Sequence, residues 1–252
     1  MQKTIILGSS NAISTRDHAN THMVFVGRER MVLVDAPGAN PVLHLERAGL
    51  DFNDLTDIIV THFHIDHTLG LPLLLMEMWL MGRRRPLNIY GLHSTLDRVE
   101  TLLELYDWSE WPNFFPVVFQ RIPTSEMSPV LDCSDFTIQA SPVRHTIPNI
   151  GLRIQFKQSN QTLAYSCDTE PCQEVVRLSA GADVLIHEAA GGFTGHSSAK
   201  QAGEIARKAE VGRLYLIHYP TGKYAKGDLV AEARTAFSGD VTLAKDFMVL
   251  DM

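Results

Sequence analysis

The sequence has few cysteines and no long hydrophobic run. Only three of its 252 residues are cysteine, and no two of them form a Cys-x-x-Cys pair. A sparse, odd count argues against a disulfide-stabilised secreted domain and favours a reducing compartment. The longest apolar stretch, Leu69–Met81, is interrupted by Gly70, Pro72 and Glu77 and is too short to cross a bilayer. The N-terminal residues lack a signal-peptide pattern, so we expect a cytoplasmic protein without a membrane anchor.

The sequence also lacks an excess of basic residues. Lys and Arg number 22 against 29 Asp and Glu, which gives a net charge of −7. This balance disfavours a broad surface built to neutralise many phosphates. Hydrophobic residues make up 45% of the chain, which is typical of a globular protein with a sizeable core. Because no linker or low-complexity run divides the chain, we predict a single domain over residues 1–252.

Strand and helix patterns alternate along two comparable halves of the chain. The predicted strands are Thr4–Leu7, His22–Val26, Met31–Asp35, Ile58–Val60, Leu87–Tyr90, Phe136–Ala140, Gly151–Phe156, Thr162–Ser166, Asp183–His187, Leu214–His218 and Phe247–Leu250. The predicted helices are Pro41–Ala48, Leu69–Gly82, Ser94–Leu105, Pro171–Leu178, Ser197–Lys208 and Asp228–Phe237. The aromatic, proline-broken segment Trp108–Pro116 should be irregular; it could line a cleft, form an interface or pack as a loop. The alternation predicts an α/β fold with two sheets face to face and helices outside.

The Leu69–Gly82 helix is apolar around much of its circumference. We therefore expect it to be mostly buried, with its methionines and Trp79 in the core or a dimer interface. Arg83–Arg85 follow it directly and suit the negative end of the helix dipole. We expect a solvated cap there, with a phosphate-facing role as the alternative.

A dense group of metal-capable side chains follows one predicted strand. After Ile58–Val60 come His62, His64, Asp66 and His67. His62 and His64 are two apart, so they share a side on extended backbone, and Asp66 and His67 can face a neighbouring point once the chain turns. Histidine and carboxylate donors at this density predict a site for two metal ions held side by side.

Four further polar residues stand where a predicted strand gives way to a loop: His145, Asp168, His196 and His218. Loops at strand ends collect functional residues because a rigid scaffold positions them. Asp168 could lie between two ions and offset their repulsion, and His196 could donate a proton to a leaving group. Neutral imidazoles and carboxylates suit zinc, with manganese and iron as alternatives.

Three neighbours of these residues have weaker signals. Glu188 could orient His196 or a ligand, whereas His187 should belong to the buried strand. If Cys167 and Asp168 both remain extended, their side chains point to opposite faces. We therefore expect Cys167 to be a small buried residue and not a ligand.

The string HFHIDH, followed by His145, Asp168 and His218, resembles the signature of the metallo-β-lactamase superfamily, and the likeness covers nearly the whole chain. Within the superfamily the chain is most similar to ribonuclease Z and its relatives, through GLPLLLMEMWLMGRRRPLNIYG, SCDTEP, DVLIHEA, GHSSAKQAGEIA, LIHYP and EARTAFSGDVTLAKDFMVL. The resemblance implies a four-layer αβ/βα sandwich with the metals at one edge.

Carried over by motif, the resemblance implies a role for each candidate residue. One zinc would be held by His62, His64 and His145, and a second by Asp66, His67 and His218, with Asp168 bridging the two. The resemblance further implies that Asp66 orients the attacking water and that His196 is the general acid.

The chain departs from the ribonuclease Z pattern in one place. Enzymes of that branch that process transfer RNA usually carry a flexible arm between the residues that match His145 and Asp168. Here that interval is short and is filled by two predicted strands and a turn, and it lacks the basic, glycine-rich composition expected of such an arm. The sequence therefore predicts a retained catalytic site without the arm that binds transfer RNA.

The sequence therefore predicts a dinuclear zinc hydrolase, most simply a phosphodiesterase acting on a small or unstructured substrate. One alternative is transfer RNA 3′ processing in which a partner holds the RNA. Another is an arylsulfatase or lactonase, although lactonases of this kind tend to have a tyrosine shortly after the bridging aspartate, where this chain has Thr169-Glu170-Pro171. A third is a non-catalytic metal-bound ligand sensor. The resemblance and the apolar helix also leave room for a homodimer.

Overall fold

Apolar residues on both faces of the central strands require two buried layers. In β1 (Lys3–Gly8), Ile5 and Leu7 face one side and Ile6 the other, and all three are buried. The same division holds in β11 (Val184–Glu188), where Leu185 faces away from its two neighbours. Strands of this kind must be covered on both faces.

The computed structural model describes residues 2–38, 40–225 and 227–252. In those residues the chain forms two seven-stranded sheets, with the orders β14-β1-β2-β3-β4-β5-β6 and β13-β12-β11-β10-β9-β8-β7. The first sheet contains β1, β2 (His22–Val26), β3 (Met31–Val34), β4 (Asp57–Ile59), β5 (Leu87–Leu92), β6 (Val117–Ile122) and β14 (Met248–Asp251). The second contains β7 (Ser128–Asp132), β8 (Phe136–Val143), β9 (Asn149–Phe156), β10 (Thr162–Tyr165), β11, β12 (Arg213–Ile217) and β13 (Asp240–Leu243).

Seven α-helices are described in those residues, and all but the short α2 cover the outer faces of the sheets. They are α1 (Pro41–Arg47), α2 (Ile65–Thr68), α3 (Leu71–Leu80), α4 (His93–Glu104), α5 (Gln173–Ser179), α6 (Ala199–Lys208) and α7 (Leu229–Arg234). One core lies between the sheets, a second under α1, α3 and α4, and a third under α5, α6 and α7. The predicted four-layer αβ/βα sandwich is confirmed. None of the helices in the described ranges is long and apolar enough to span a membrane.

Three strands were not predicted from the sequence, and each is an edge strand. β6 and β7 end the two sheets on one side, and β13 ends the second sheet on the other. β6 alternates between partly buried and exposed residues and contains a single fully buried one. Edge strands of this kind carry a weak hydrophobic signal, because one side is solvated.

The helix predicted over Leu69–Gly82 is present as α3, with Met78 in the core as expected, but only half of its residues are buried. The segment begins directly after α2 and continues as α3, whose apolar surface packs on one face only. Leu69, Leu80 and Met81 are about half exposed or more. Strong hydrophobicity on every face therefore did not mean burial on every face.

The expectation for Arg83 was wrong, because its side chain is neither a solvated cap nor directed at a phosphate. Arg83 is buried and donates hydrogen bonds to the carbonyl oxygens of Phe52, Leu55 and Pro86, among others. Burying a guanidinium is tolerated when its donors are satisfied. Arg84 and Arg85 are exposed.

Candidate metal centre

The predicted site residues meet at one edge of the sandwich. β3, β4 and β5 run parallel in the first sheet, and β10, β11 and β12 run parallel in the second. Their carboxyl ends therefore open onto a common edge, where ligand sites of α/β sheets form. His62 and His64 follow β4, His145 follows β8, Asp168 follows β10 and His218 follows β12.

The first group joins three imidazoles from both sheets. Nδ1 of His64 lies 3.1 Å from Nε2 of His62 and 3.1 Å from Nε2 of His145. His145 Nδ1 donates to the carbonyl oxygen of Gly195 at 2.7 Å. The proton of His145 is thereby placed on Nδ1, and its Nε2 lone pair faces the other two rings.

This donor set fits a metal ion. Neutral imidazole nitrogens with lone pairs directed at one another repel, unless a cation lies among them. In a tetrahedral zinc site with Zn–N distances of about 2.05 Å, two ligand nitrogens lie about 3.3 Å apart. The observed nitrogen separations of 3.1 Å are close to that value.

A second group lies beside the first and contains Asp66, His67 and His218, whose candidate ligand atoms are all within 4.8 Å of one another. Oδ2 of Asp168 lies 3.4 Å from Nε2 of His67, 3.2 Å from Nε2 of His218 and 3.9 Å from Nε2 of His62. One oxygen therefore faces both groups. Buried Nε2 of His67 and buried Oδ1 of Asp168 have no hydrogen-bond partner within the described residues, as expected of atoms that serve a metal.

Asp35 orients one histidine in each of the two groups. Its buried carboxylate accepts a hydrogen bond from His67 Nδ1 at 2.8 Å and from the backbone N–H of Thr61, also at 2.8 Å. The Thr61 hydroxyl donates to the same carboxylate and lies 3.1 Å from His62 Nδ1, from which it can accept a hydrogen bond. One carboxylate thus fixes His67 directly and His62 through Thr61, so that the Nε2 of each ring faces the cluster.

His196 lies at the rim of the two groups. Its ring centroid is 5.0 Å from that of His145 and 5.8 Å from that of His218. Nδ1 of His196 donates to Oε1 of the fully buried Glu188 at 3.1 Å. Glu188 also accepts from the backbone N–H groups of Thr169, Ala190 and Ser197, so the carboxylate is rigidly held. The expected contact between Glu188 and His196 is present.

The charge states of the imidazoles follow from burial and from the carboxylates. Burial lowers the pKa of His62 well below its ordinary value and that of His218 to about 4. Both rings are therefore neutral, as metal ligation requires. Burial also opposes a charge on His67, but Asp168 and Asp35 outweigh it and hold the pKa of His67 well above its ordinary value. A cation at Nε2 would satisfy the same two carboxylates in place of that proton.

For His196, burial again opposes the charge, but the hydrogen bond to Glu188 and the carboxylate charge raise its pKa above the ordinary value. A protonated imidazole at this position can give up a proton from Nε2, because Nδ1 is committed to Glu188.

Cys167 is a buried thiol, as expected, but the geometric reason given for it was wrong. Its backbone is left-handed, with φ of 52°, and not extended. The sulfur consequently lies 3.8 Å from Nδ1 of His62, behind the ring and away from its Nε2. Asp35 and His218 also have positive φ, 63° and 53°. Such strained residues concentrate at functional sites, where the surrounding structure holds them in place.

Two features of the site were missed by the sequence analysis. Asp35 was included only as the last residue of the predicted strand Met31–Asp35, and Thr61, which follows the predicted strand Ile58–Val60, was given no role. Both follow a buried strand at the same edge as the ligands, and this adjacency was the available signal. His187 lies within β11, as predicted.

Comparison with known proteins agrees with this geometry. Residues 30–219 match the model of the β-lactamase superfamily domain. Ribonuclease Z of Methanothermobacter thermautotrophicus is 24% identical over an alignment of 307 positions that covers all of this chain and 97% of that protein. Because this chain has only 252 residues, its relative carries segments that have no counterpart here.

Two solved structures are similar over almost their whole length. The metallo-β-lactamase-fold protein YhfI from Bacillus subtilis is 25% identical with a TM-score of 0.82, covering 99% of this chain and 98% of that one. The short form of human tRNase Z is also 25% identical, with a TM-score of 0.79 and the same coverage. The chain therefore belongs to the β-lactamase superfamily, as a metal-dependent hydrolase related to ribonuclease Z.

Proposed function

We propose that the chain is a dinuclear zinc-dependent phosphodiesterase that acts on a small or unstructured substrate. The observation that carries the proposal is the position of His196, a proton donor held by Glu188, whose ring centroid lies 5.0 Å from that of His145 in one group and 5.8 Å from that of His218 in the other. Two metal groups with an acid at their rim suit a reaction in which an ester oxygen is cleaved from phosphorus and leaves as an alcohol.

In this proposal His62, His64 and His145 hold one ion, Asp66, His67 and His218 hold the other, and Asp168 lies between them. The side chains that support this division are the two groups described above. Two zinc ions, when bound, would supply a water-derived nucleophile at neutral pH and neutralise charge on the phosphoryl oxygens. Manganese or iron could serve the same donor set.

The protein's own residues carry the proton transfers. Asp66 is partly exposed and can accept a hydrogen bond from the attacking water, which orients it. His196 can donate the Nε2 proton to the leaving oxygen, while Glu188 keeps the ring in place through Nδ1. The reaction then consumes one water and yields a phosphomonoester and an alcohol.

The small size of the substrate is inferred from the connection between His145 and Asp168. This interval contains β9 and β10, which pair along Thr162–Tyr165, and a short turn between them. No residues are left there to form a projecting arm. The net charge of −7 also provides little general attraction for a folded RNA.

Replacing His196 by alanine tests whether His196 is the general acid. We expect turnover of a diester with an alkyl leaving group to fall by about 10²–10⁴-fold. Turnover of bis(p-nitrophenyl) phosphate should fall much less, because p-nitrophenolate leaves without a proton. His93→Ala removes an exposed histidine at the start of α4 and is the matched control. Equal losses on both substrates would contradict the role of His196.

A second candidate is 3′ processing of transfer RNA with the RNA held by a partner, because relatives over the full length are ribonuclease Z. Cleavage of precursor transfer RNA by the isolated chain at a rate comparable with that of bis(p-nitrophenyl) phosphate would favour it. Robust cleavage of the chromogenic diester alone would favour the small substrate.

The proposal includes a single domain, a cytoplasmic location and a homodimer. The location is supported by the three cysteines, Cys133, Cys167 and Cys172, which form no disulfide. The homodimer is supported by the exposed apolar residues of α3 and its flanks, such as Leu80. Sedimentation at micromolar concentration tests the dimer.

A further inference from the structure

An open pocket of about 610 Å³ has His196 in its wall, and none of the proposed metal ligands is among the described residues that line it. Its walls include Glu170, Phe193, Thr194 and Gln201. No lysine or arginine is among the described residues that line it. The mechanism proposed above uses His196 but none of the other walls.

Phe193 is the unusual wall of this pocket. Its side chain is 56% exposed, and it lies outside the buried clusters of the described residues. The ring centroid lies 4.8 Å from that of His196, with the two planes tilted by 49°. An exposed phenylalanine is ordinary on its own. Here, however, its ring stands against the proton donor.

The loop that carries Phe193 is held in place by its own backbone. The N–H of Phe193 donates to the carbonyl of Gly191, and the N–H of His196 donates to the carbonyl of Phe193. At the end of the loop, the N–H of Gly195 donates to Oε1 of Glu170 at 2.9 Å. Phe193 is therefore presented in a defined position, which limits the entropy lost when a ligand binds.

The position of the donor identifies which part of a substrate enters this pocket. Since Nδ1 of His196 is bound to Glu188, the proton leaves from Nε2. The atom that receives it is the leaving oxygen, so the group attached to that oxygen must lie next to His196. The pocket that has His196 in its wall is thus on the leaving-group side.

We propose that this pocket binds the leaving group and that Phe193 stacks on an aromatic ring within it. The substrate class is then a phosphodiester whose leaving alcohol carries a flat ring, as in a nucleoside or an aryl alcohol. This inference rests on the proposed phosphodiesterase function. The Glu170 carboxylate and the lack of lining lysine or arginine disfavour a leaving group with a further phosphate, as a continuing RNA strand would have.

Two diesters show whether the ring that Phe193 contacts belongs to the leaving group or to the group that stays on phosphorus. Methyl p-nitrophenyl phosphate and bis(p-nitrophenyl) phosphate share the leaving group, but only the second has a ring on the side that stays on phosphorus. Phe193→Ala should raise KM by about tenfold for both diesters, because ring stacking on an aromatic side chain is worth about that factor. Phe193→Trp should keep KM within about twofold, whereas Phe193→Leu, which is apolar but not flat, should resemble the alanine variant.

Tyr106→Ala is the matched control. Tyr106 is 52% exposed and lines a separate apolar groove with Leu69 and Trp111. It should leave KM for both diesters unchanged. An effect of Phe193→Ala on bis(p-nitrophenyl) phosphate alone would place the ring on the retained side and overturn the proposal. So would unchanged KM values in Phe193→Ala, or a larger effect in Tyr106→Ala.

A binding measurement separates this proposal from the proposed function. In Phe193→Trp, the additional tryptophan emission relative to wild type should be quenched saturably by adenosine, a leaving group with a flat ring. If the wild type hydrolyses neither diester, the proposed function fails. The adenosine titration still tests whether the pocket binds a flat ring. Absence of quenching would overturn the aromatic subsite even in an active enzyme.

Discussion

Asp35→Asn should weaken metal binding selectively in the half of the site that contains His67. The asparagine keeps the size of the side chain, but one acceptor oxygen becomes an NH₂ donor. His67 Nδ1–H would then face either a donor or a neutral, weaker acceptor. The ring could relieve the clash by moving its proton to Nε2, the atom directed at the cluster, and Nε2 would no longer be available to a metal.

The size of the effect follows from the bond that is lost. The contact between His67 Nδ1 and Asp35 Oδ2 is 2.8 Å long and fully buried. A hydrogen bond to a charged partner is worth about 1.5–3 kcal/mol, which corresponds to about 10- to 100-fold in affinity. This agrees with the usual effect of removing a group that orients a ligand histidine. The second ion should therefore be lost first, and the ion near His62 later.

The assay is metal content and competition. Purified Asp35→Asn is equilibrated with a zinc-buffered series, and bound zinc is counted by mass spectrometry. We expect one ion to remain at free zinc concentrations where wild type keeps two. Asp57→Asn is the matched control, because Asp57 is equally buried but starts β4, at the end of that strand away from the candidate ligands that follow it. It should lower stability through its contacts with Arg30 and Asn88 and leave both ions bound.

The reasoning would be refuted by an Asp35→Asn protein that holds two ions with wild-type affinity. It would also be refuted if Asp57→Asn lost zinc to the same extent, since the effect would then be one of general destabilisation.

Three further predictions concern separate contacts. Glu188→Gln should lower kcat for an alkyl-leaving diester by about 10- to 100-fold with unchanged metal content, because only the orientation of His196 is disturbed. Arg83→Met should lower the free energy of unfolding by at least about 3 kcal/mol in urea titration, since several buried carbonyls lose their donor; the exposed Arg84→Met should change it by less than about 0.5 kcal/mol. Asp135→Asn should cost about 1–3 kcal/mol at pH 7, because the Asp135 carboxylate accepts from the backbone N–H groups of residues 28–30. Burial opposes the charge of Asp135, but these donors prevail and hold its pKa below the ordinary value. The contribution of the Asp135 carboxylate to the free energy of unfolding is therefore complete above about pH 4. It is lost as the pH falls through the folded-state pKa. Thermal unfolding of wild type and Asp135→Asn should therefore converge in acid and differ at neutral pH; a difference that grows in acid would contradict this account.

The sequence was most informative where a residue's neighbours along the chain decide its role. The two-residue spacing of His62 and His64 after a buried strand needed no tertiary information. The buried strands were found for the same reason, since residues such as Ile58 and Ile59 are covered on both faces. The edge strand Val117–Ile122 was missed because its exposed side gives it a mixed pattern.

Other features depend on contacts that sequence spacing does not encode. Arg83 is buried because carbonyl oxygens of the Phe52–Asp54 turn and of Leu55, which are distant along the chain, accept its hydrogen bonds. The left-handed backbone at Cys167 reverses the usual alternation of side chains, so the rule for extended strands gave the wrong direction. The role of Asp35 became visible only when β3 and β4 were paired.

The division of the proposed ligands between the two sheets bears on how this enzyme assembles. Residues 62–67 belong to the first sheet's edge, whereas His145, Asp168 and His218 extend from the second. Neither half of the chain alone contains a complete set for either group, because His145 completes the first and His218 the second. The proposed centre could therefore form only after the halves have docked, and each bound ion would then act as a cross-link between them. Zinc affinity in this protein would measure the docking of the two sheets as well as the chemistry of the side chains.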